Sequence, residues 1–167
     1  MTRLHSLINF ILFQAVWFLS LLIEANSIVF SSAIIALMFY LSKQKKQDVL
    51  LVLKTLPIAL LCEFIAVKLG LFEFKVFPFP PWLALLWVAL LLCINTSMSF
   101  LTGLKLWQAF CVCLVFAPLS YWGGARFEVL SLGLPLYQFW FFYGALWAAT
   151  FTLILFINSK IKLMISR

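Results

Sequence analysis

Apolar residues fill six long blocks of the chain, separated by short polar, glycine- or proline-bearing breaks. Continuous apolar runs of this length predict membrane-spanning helices rather than half-buried ones. The first block, Leu7 to Ile23, reads as a retained helix, because no small-x-small cleavage site follows it. Glu24 to Ser27 make a tight turn, and a second helix is predicted from about Ile28 to Leu41. Lys43 to Asp48 form the most polar segment and precede a third helix from Val49 to about Gly70. An aromatic loop leads to Pro80-Pro81, which suit a helix entrance because the N–H that proline lacks has no partner there. The fourth helix is predicted over Trp82 to about Ser99, and Gly103 marks the next turn. The fifth runs from Leu104 to about Leu119, with Pro118 close to its end. The longest loop, Ser120 to Pro135, carries a Gly123-Gly124 turn signal. The sixth helix covers about Tyr137 to Ile157, followed by a basic segment from Ser159.

Composition strengthens this pattern. Hydrophobic residues make up 66% and charged ones 10%, against about 45–50% and about 25% in soluble domains. Mean hydropathy is +1.15. The expectation is an all-α integral membrane bundle of six transmembrane helices forming a single domain over residues 1–167. The net charge of +7 does not point to nucleic acid. Arg3, Lys43, Lys45, Lys46, Lys105, Lys160, Lys162 and Arg167 fall on one side of the predicted membrane, and only Lys68, Lys75 and Arg126 on the other. By the positive-inside rule both termini are cytoplasmic, and lipid head groups are the nearest partners of these cations. Trp82, Tyr121, Trp122, Tyr137 and Trp140 would then form an outer aromatic belt.

One acid breaks the apolar pattern. Glu63 lies roughly 5 Å outward of the midplane of the third helix. A carboxyl at that depth must face the bundle interior and be protonated, hydrogen-bonded or paired. Lys54, nine residues away, is on the opposite side of the helix, and it and Lys68 can snorkel to head groups. Gln14 is the best depth-matched partner from another helix. Asn9, Asn95 and Gln108 fall in the inner half of the first, fourth and fifth helices. These polar residues serve equally as interhelical glue or as a ligand site. Cys62, Cys93, Cys111 and Cys113 read as apolar packing residues, with Cys111 and Cys113 about 200° apart on their helix. With His5 the only histidine, no metal site or cofactor is expected. No nucleotide-binding loop, H-E-x-x-H or G-x-S-x-G occurs.

Three segments carry a resemblance. They are Asn9-Phe10, Phe13-Gln14 and Trp17-Phe18 in the first helix, Pro81-Trp82-Leu83 with Leu86-Trp87 in the fourth, and Ala117 to Gly124 leaving the fifth. In order and spacing the chain resembles the bacterial family of small polytopic membrane proteins catalogued as domain of unknown function 2878. The resemblance implies fold and location rather than an activity. It groups Asn9, Gln14, Trp17, Trp87, Pro118 and Tyr121, a polar-aromatic mixture that suits a pocket for an amphipathic molecule.

The function expected is the binding or handling of a lipid-like or membrane-soluble small molecule in an intramembrane cavity. Its candidate residues are Glu63, Gln14, Asn9, Trp17, Trp87, Asn95, Gln108 and Tyr121. Two other classes stay open: a small transporter or proton-coupled carrier, and a non-catalytic subunit acting through a membrane protein partner. Enzymatic activity is left open, with Glu63 the one plausible starting group.

Overall fold

The computed structural model describes residues 3–166. Seven helices and one two-stranded ribbon follow in the order α1 (Arg3–Ile23), α2 (Ser27–Leu41), α3 (Lys45–Lys68), β1 (Phe72–Phe74), α4 (Pro81–Cys93), α5 (Ser99–Thr102), α6 (Leu106–Arg126), β2 (Leu130–Leu132) and α7 (Leu136–Ile165). The six apolar blocks become α1, α2, α3, α4, α6 and α7. Four stretches are long and apolar enough to cross a membrane: α3, α6, α7 and the continuous α1–α2 segment. At 1.5 Å per residue, α2 and α4 reach only about 20 Å, short of the roughly 30 Å hydrocarbon core. Large apolar side chains cover the outside of the bundle, among them Leu4, Ile11, Leu22, Val29, Leu53 and Phe116. Patches of that extent belong against lipid rather than water.

A 3₁₀ turn at Glu24–Asn26, with Glu24 at φ 44°, folds α2 back along α1. Val16 and Met38 meet in that hairpin and pack on Ala89, Leu92 and Cys93 of α4. The buried residues of α3 are Asp48, Leu51, Thr55, Ala59, Cys62, Glu63 and Ala66. Their three- and four-residue spacing makes one continuous stripe. It packs on α4 and α7, and α7 packs on α6. Gly144 is the close approach between those last two helices. A Cβ there would lie 2.8 Å from the Leu114 carbonyl oxygen and 3.0 Å from Pro118 Cγ. Small residues let membrane helices meet this closely.

Several helix boundaries differ from expectation. Lys45 to Asp48 belong to α3, because Gln47 and Asp48 have polar partners inside the bundle (below). Helix α4 ends at Cys93, six residues before the predicted Ser99. The Asn95-Thr96-Ser97 run offers side-chain hydrogen bonds that compete with helix, and here they are taken up by tertiary partners. Helix α6 does not stop near Leu119. It passes through Pro118 and the Gly123-Gly124 pair, which is therefore not a turn. A Cβ at Gly124 would lie 3.2 Å from Leu130 Cδ2, so the glycine there admits the ribbon. The turn comes after Arg126, with Glu128 at φ 58°. Helix α7 continues to Ile165, beyond the predicted end at Ile157.

The ribbon was not anticipated. Phe72 pairs Leu132, Glu73 pairs Ser131 and Phe74 pairs Leu130, antiparallel. Phe-Glu-Phe and Leu-Ser-Leu have the period-two alternation of a strand with one face inward. Where the chain leaves β2, a Cβ at Gly133 would sit 2.0 Å from the Gly70 carbonyl oxygen, so only glycine fits. Phe72 is fully buried and caps the core from this end of the bundle.

Candidate functional site

Two polar clusters lie inside the apolar bundle. The first is centred on Glu63, which is fully buried. The α3 stripe turns it inward, and three other helices supply donors. Trp87 Nε1–H of α4 donates to Glu63 Oε1 at 2.9 Å. Tyr121 Oη of α6 donates to the same oxygen at 2.5 Å. Tyr143 Oη of α7 lies 3.2 Å from Oε1 and 3.3 Å from Oε2. One indole and two phenols therefore satisfy the carboxyl, and among the described residues no cation pairs with it. Phe72 of the ribbon packs edge-on to Tyr143 at 5.0 Å and tilted against Tyr121 at 5.1 Å. It thereby separates the cluster from the ribbon end of the bundle.

The second cluster lies at the end of the bundle where α1 starts and α7 finishes. Asn95 and Asn158 exchange reciprocal amide bonds of 3.2 and 2.8 Å. Gln47 Nε2 donates to both of their side-chain oxygens. Asn95 Nδ2 also donates to the buried Asp48, which accepts from Ser42 as well. Gln44 Nε2 closes the set on the Asn95 carbonyl oxygen at 2.7 Å. This knot joins the start of α3, the end of α4 and the last turns of α7.

Between α1 and α6 lies a cavity of about 630 Å³. Phe10, Phe13 and Trp17 line it from α1, spaced for one helical face. Val112, Cys113, Phe116, Ala117, Ser120 and Tyr121 line it from α6. Leu83, Leu86, Trp87 and Leu90 of α4 and Trp147 and Phe151 of α7 form its floor. Trp87 stacks on Trp147 at 5.4 Å, and Trp147 stacks on Phe151 at 4.8 Å. Among the described residues no charged one lines it. Phe10 and Phe116 are 43% and 62% exposed, so the cavity opens sideways between the two helices. Trp87 and Tyr121 belong both to its wall and to the Glu63 cluster, where their polar hydrogens point at the carboxyl.

The eight sequence-predicted residues therefore separate into six places. Trp17, Trp87 and Tyr121 line the cavity. Glu63 sits behind that wall, one side chain away. Asn9 is buried and accepts from Ser97 Oγ at 2.6 Å, tying α1 to the segment after α4. Asn95 belongs to the amide knot, and Gln108 accepts from the Lys105 backbone N–H at the start of α6. Gln14 is half-buried on α1 and is not a hydrogen-bond partner of Glu63, the position its depth suggested. Depth along a helix does not fix direction around it, and the α3 stripe aims Glu63 at α4, α6 and α7 instead.

Tyr143, Gln47, Asp48 and Asn158 were missed. Tyr143 puts a hydroxyl into an apolar run, the kind of signal that singled out Glu63, whereas Asn158 lies past the predicted helix end at Ile157, next to Ser159-Lys160, and carried no such signal. Trp82 and Tyr121 were expected in an aromatic belt. Trp82 is buried, and the Tyr121 hydroxyl turns inward. All four cysteines are free thiols; Cys111 is exposed and Cys113 faces the cavity, on opposite sides of α6 as their spacing requires.

The family model described as Protein of unknown function (DUF2878) matches residues 6–153. The chain belongs to this family. No curated protein and no solved structure matches it. The DUF2878 match spans α1 through most of α7 and so contains the cavity and the Glu63 cluster. Of the second cluster, Asn158 lies beyond the matched region.

Proposed function

We propose that this protein is a six-span bacterial inner-membrane protein that holds a lipid-like or other membrane-soluble small molecule in the cavity between α1 and α6. The observation that carries the reading is the cavity itself. Its volume of about 630 Å³ lies within the range of roughly 300–1,000 Å³ typical of small-molecule sites. Its walls are apolar and aromatic, and its opening faces where lipid would be. A carrier needs access from both aqueous sides. The amide knot and the capped ribbon end favour lateral access instead.

The binding test is mass spectrometry of the protein purified in a mild detergent, beside an Ala117→Phe variant whose ring fills the cavity. The intact protein should carry a bound amphipathic molecule that the variant lacks. Equal lipid content in both would refute the reading. Topology is tested separately with reporter fusions. Fusions at Lys43 and at Glu128 should report the cytoplasm and the opposite side, respectively. Placement of both on one side would refute six spans.

A further inference from the structure

The cavity walls are uncharged, so a charged head group has to lie outside them. The shape of the groove says at which end. At the ribbon end α1 and α6 meet: a Cβ at Gly123 would lie 3.6 Å from the Trp17 indole, and Trp17 packs edge-on to Phe127 at 6.4 Å. At the opposite end, where α1 starts, Phe10, Met98, Phe100 and Leu101 line the cavity. Arg3 precedes Phe10 by seven residues, and Lys105 precedes Val112 by seven. Seven residues are 20° short of two helical turns. Arg3 thus lies on the cavity-lining face of α1, about 10 Å toward the start of that helix, and Lys105, in extended backbone, is the residue from which α6 begins, about as far beyond Val112. Both are exposed. Helix α6 also begins there, so its positive end adds to the same field. Of the five acids in the chain, only Asp48 lies at this end of the bundle, and it is buried in the amide knot.

We infer that the ligand is an anionic amphiphile, its chain held in the groove and its phosphate or carboxylate head lying between Arg3 and Lys105. This rests on the cavity binding a membrane-soluble molecule and names the class of that molecule. The aromatic floor takes the chain, and the two cations select the head. Entry is from the leaflet on the terminal side, since Trp17 closes the groove at the other end.

The test uses the full-length protein in nanodiscs and a photoreactive long-chain alcohol as tracer. Dodecyl phosphate, dodecanoate, dodecanol and dodecyltrimethylammonium compete with it, with inorganic phosphate as a fifth arm. The two anions should displace the tracer at lower concentration than dodecanol, and inorganic phosphate should not displace it. The double variant Arg3→Gln, Lys105→Gln should weaken displacement by both anions roughly 30-fold, as two interfacial cations predict. It should leave dodecanol unchanged. Both positions are exposed, so thermal unfolding should match that of the intact protein. Tightest binding of the ammonium probe would overturn the inference. So would an equal loss for all probes, or anion displacement unaffected by the variant. Those results leave the cavity itself intact as a binding site. If the tracer labels nothing on α1 or α6, the groove is no binding site and the broader proposal falls as well.

Discussion

Replacing Glu63 by leucine removes the acceptor for three donors on three helices while nearly conserving side-chain volume. Trp87 Nε1–H, Tyr121 Oη and Tyr143 Oη would all lose their partner. Interhelical hydrogen bonds in membranes average about 0.6 kcal/mol and reach about 1.7 kcal/mol, because the unfolded helices also find partners in the bilayer. Three such bonds give a loss of about 2 kcal/mol, with an upper bound near 5 kcal/mol. Glu63→Gln behaves differently. The amide oxygen takes over the role of Oε1, where the donors converge. The amide NH₂ faces Tyr143 Oη, which is 3.3 Å from Oε2, and a phenol oxygen accepts as readily as it donates. The glutamine variant should therefore lie within about 0.6 kcal/mol of the parent, one average bond. Reversible unfolding in mixed micelles, followed by tryptophan fluorescence, measures both. If leucine proves as stable as glutamate, the cluster contributes no net stability and the argument is wrong. If glutamine costs as much as leucine, the carboxyl is needed as such and the acceptor-only account fails.

Three further outcomes follow from the packing. Asn158→Leu removes its bonds with Asn95 and Gln47 and should cost about 2 kcal/mol in the same unfolding assay; an unchanged midpoint would show that the amide knot is replaceable. Gly144→Ala places a methyl 2.8 Å from the Leu114 carbonyl; it should force α6 and α7 apart and lower stability by about 1–3 kcal/mol, and a stabilised protein would refute that close approach. A membrane-permeant maleimide should label Cys111 first, with Cys62 and Cys93 protected; labelling of Cys113 should fall when the groove is occupied, and preferential labelling of Cys62 would contradict its burial.

The helical class and the positions of the six apolar blocks were readable because burial against lipid makes the whole helix surface apolar, which composition reports directly. The fine boundaries were not. Gly123-Gly124 and Pro118 are breakers in water, yet α6 runs through them, since its neighbours fill the space that the glycines leave. Gln47 and Asp48 look like loop residues beside three lysines, and only the partners on α4 and α7 make them helical core. Glu63 was legible as a buried group because its chemistry is costly in an apolar run. Its partners were not, because a single sequence gives depth along each helix but not the angle at which neighbouring helices face one another.

That missing angle also explains where the cavity is. Lipid is as apolar as leucine, so apolar contact alone gives two membrane helices little reason to close on each other. Polar ties and small-residue contacts decide which helices meet. The Glu63 cluster binds α3, α4, α6 and α7 together, the amide knot binds α3, α4 and α7, and Gly144 draws α7 onto α6. The α1–α2 hairpin is attached by less. Asn9 ties it to Ser97 at one end, and the exposed Glu24–Lys75 ion pair holds the other, a contact worth about 0–1 kcal/mol. Apart from Ser42, which ends α2 and donates to Asp48, the rest is apolar packing, chiefly on α4. Trp17 reaches α6 only at the ribbon end. The gap between α1 and α6 is thus the seam that polar chemistry leaves open, and its aromatic lining makes it a place for a third, apolar body.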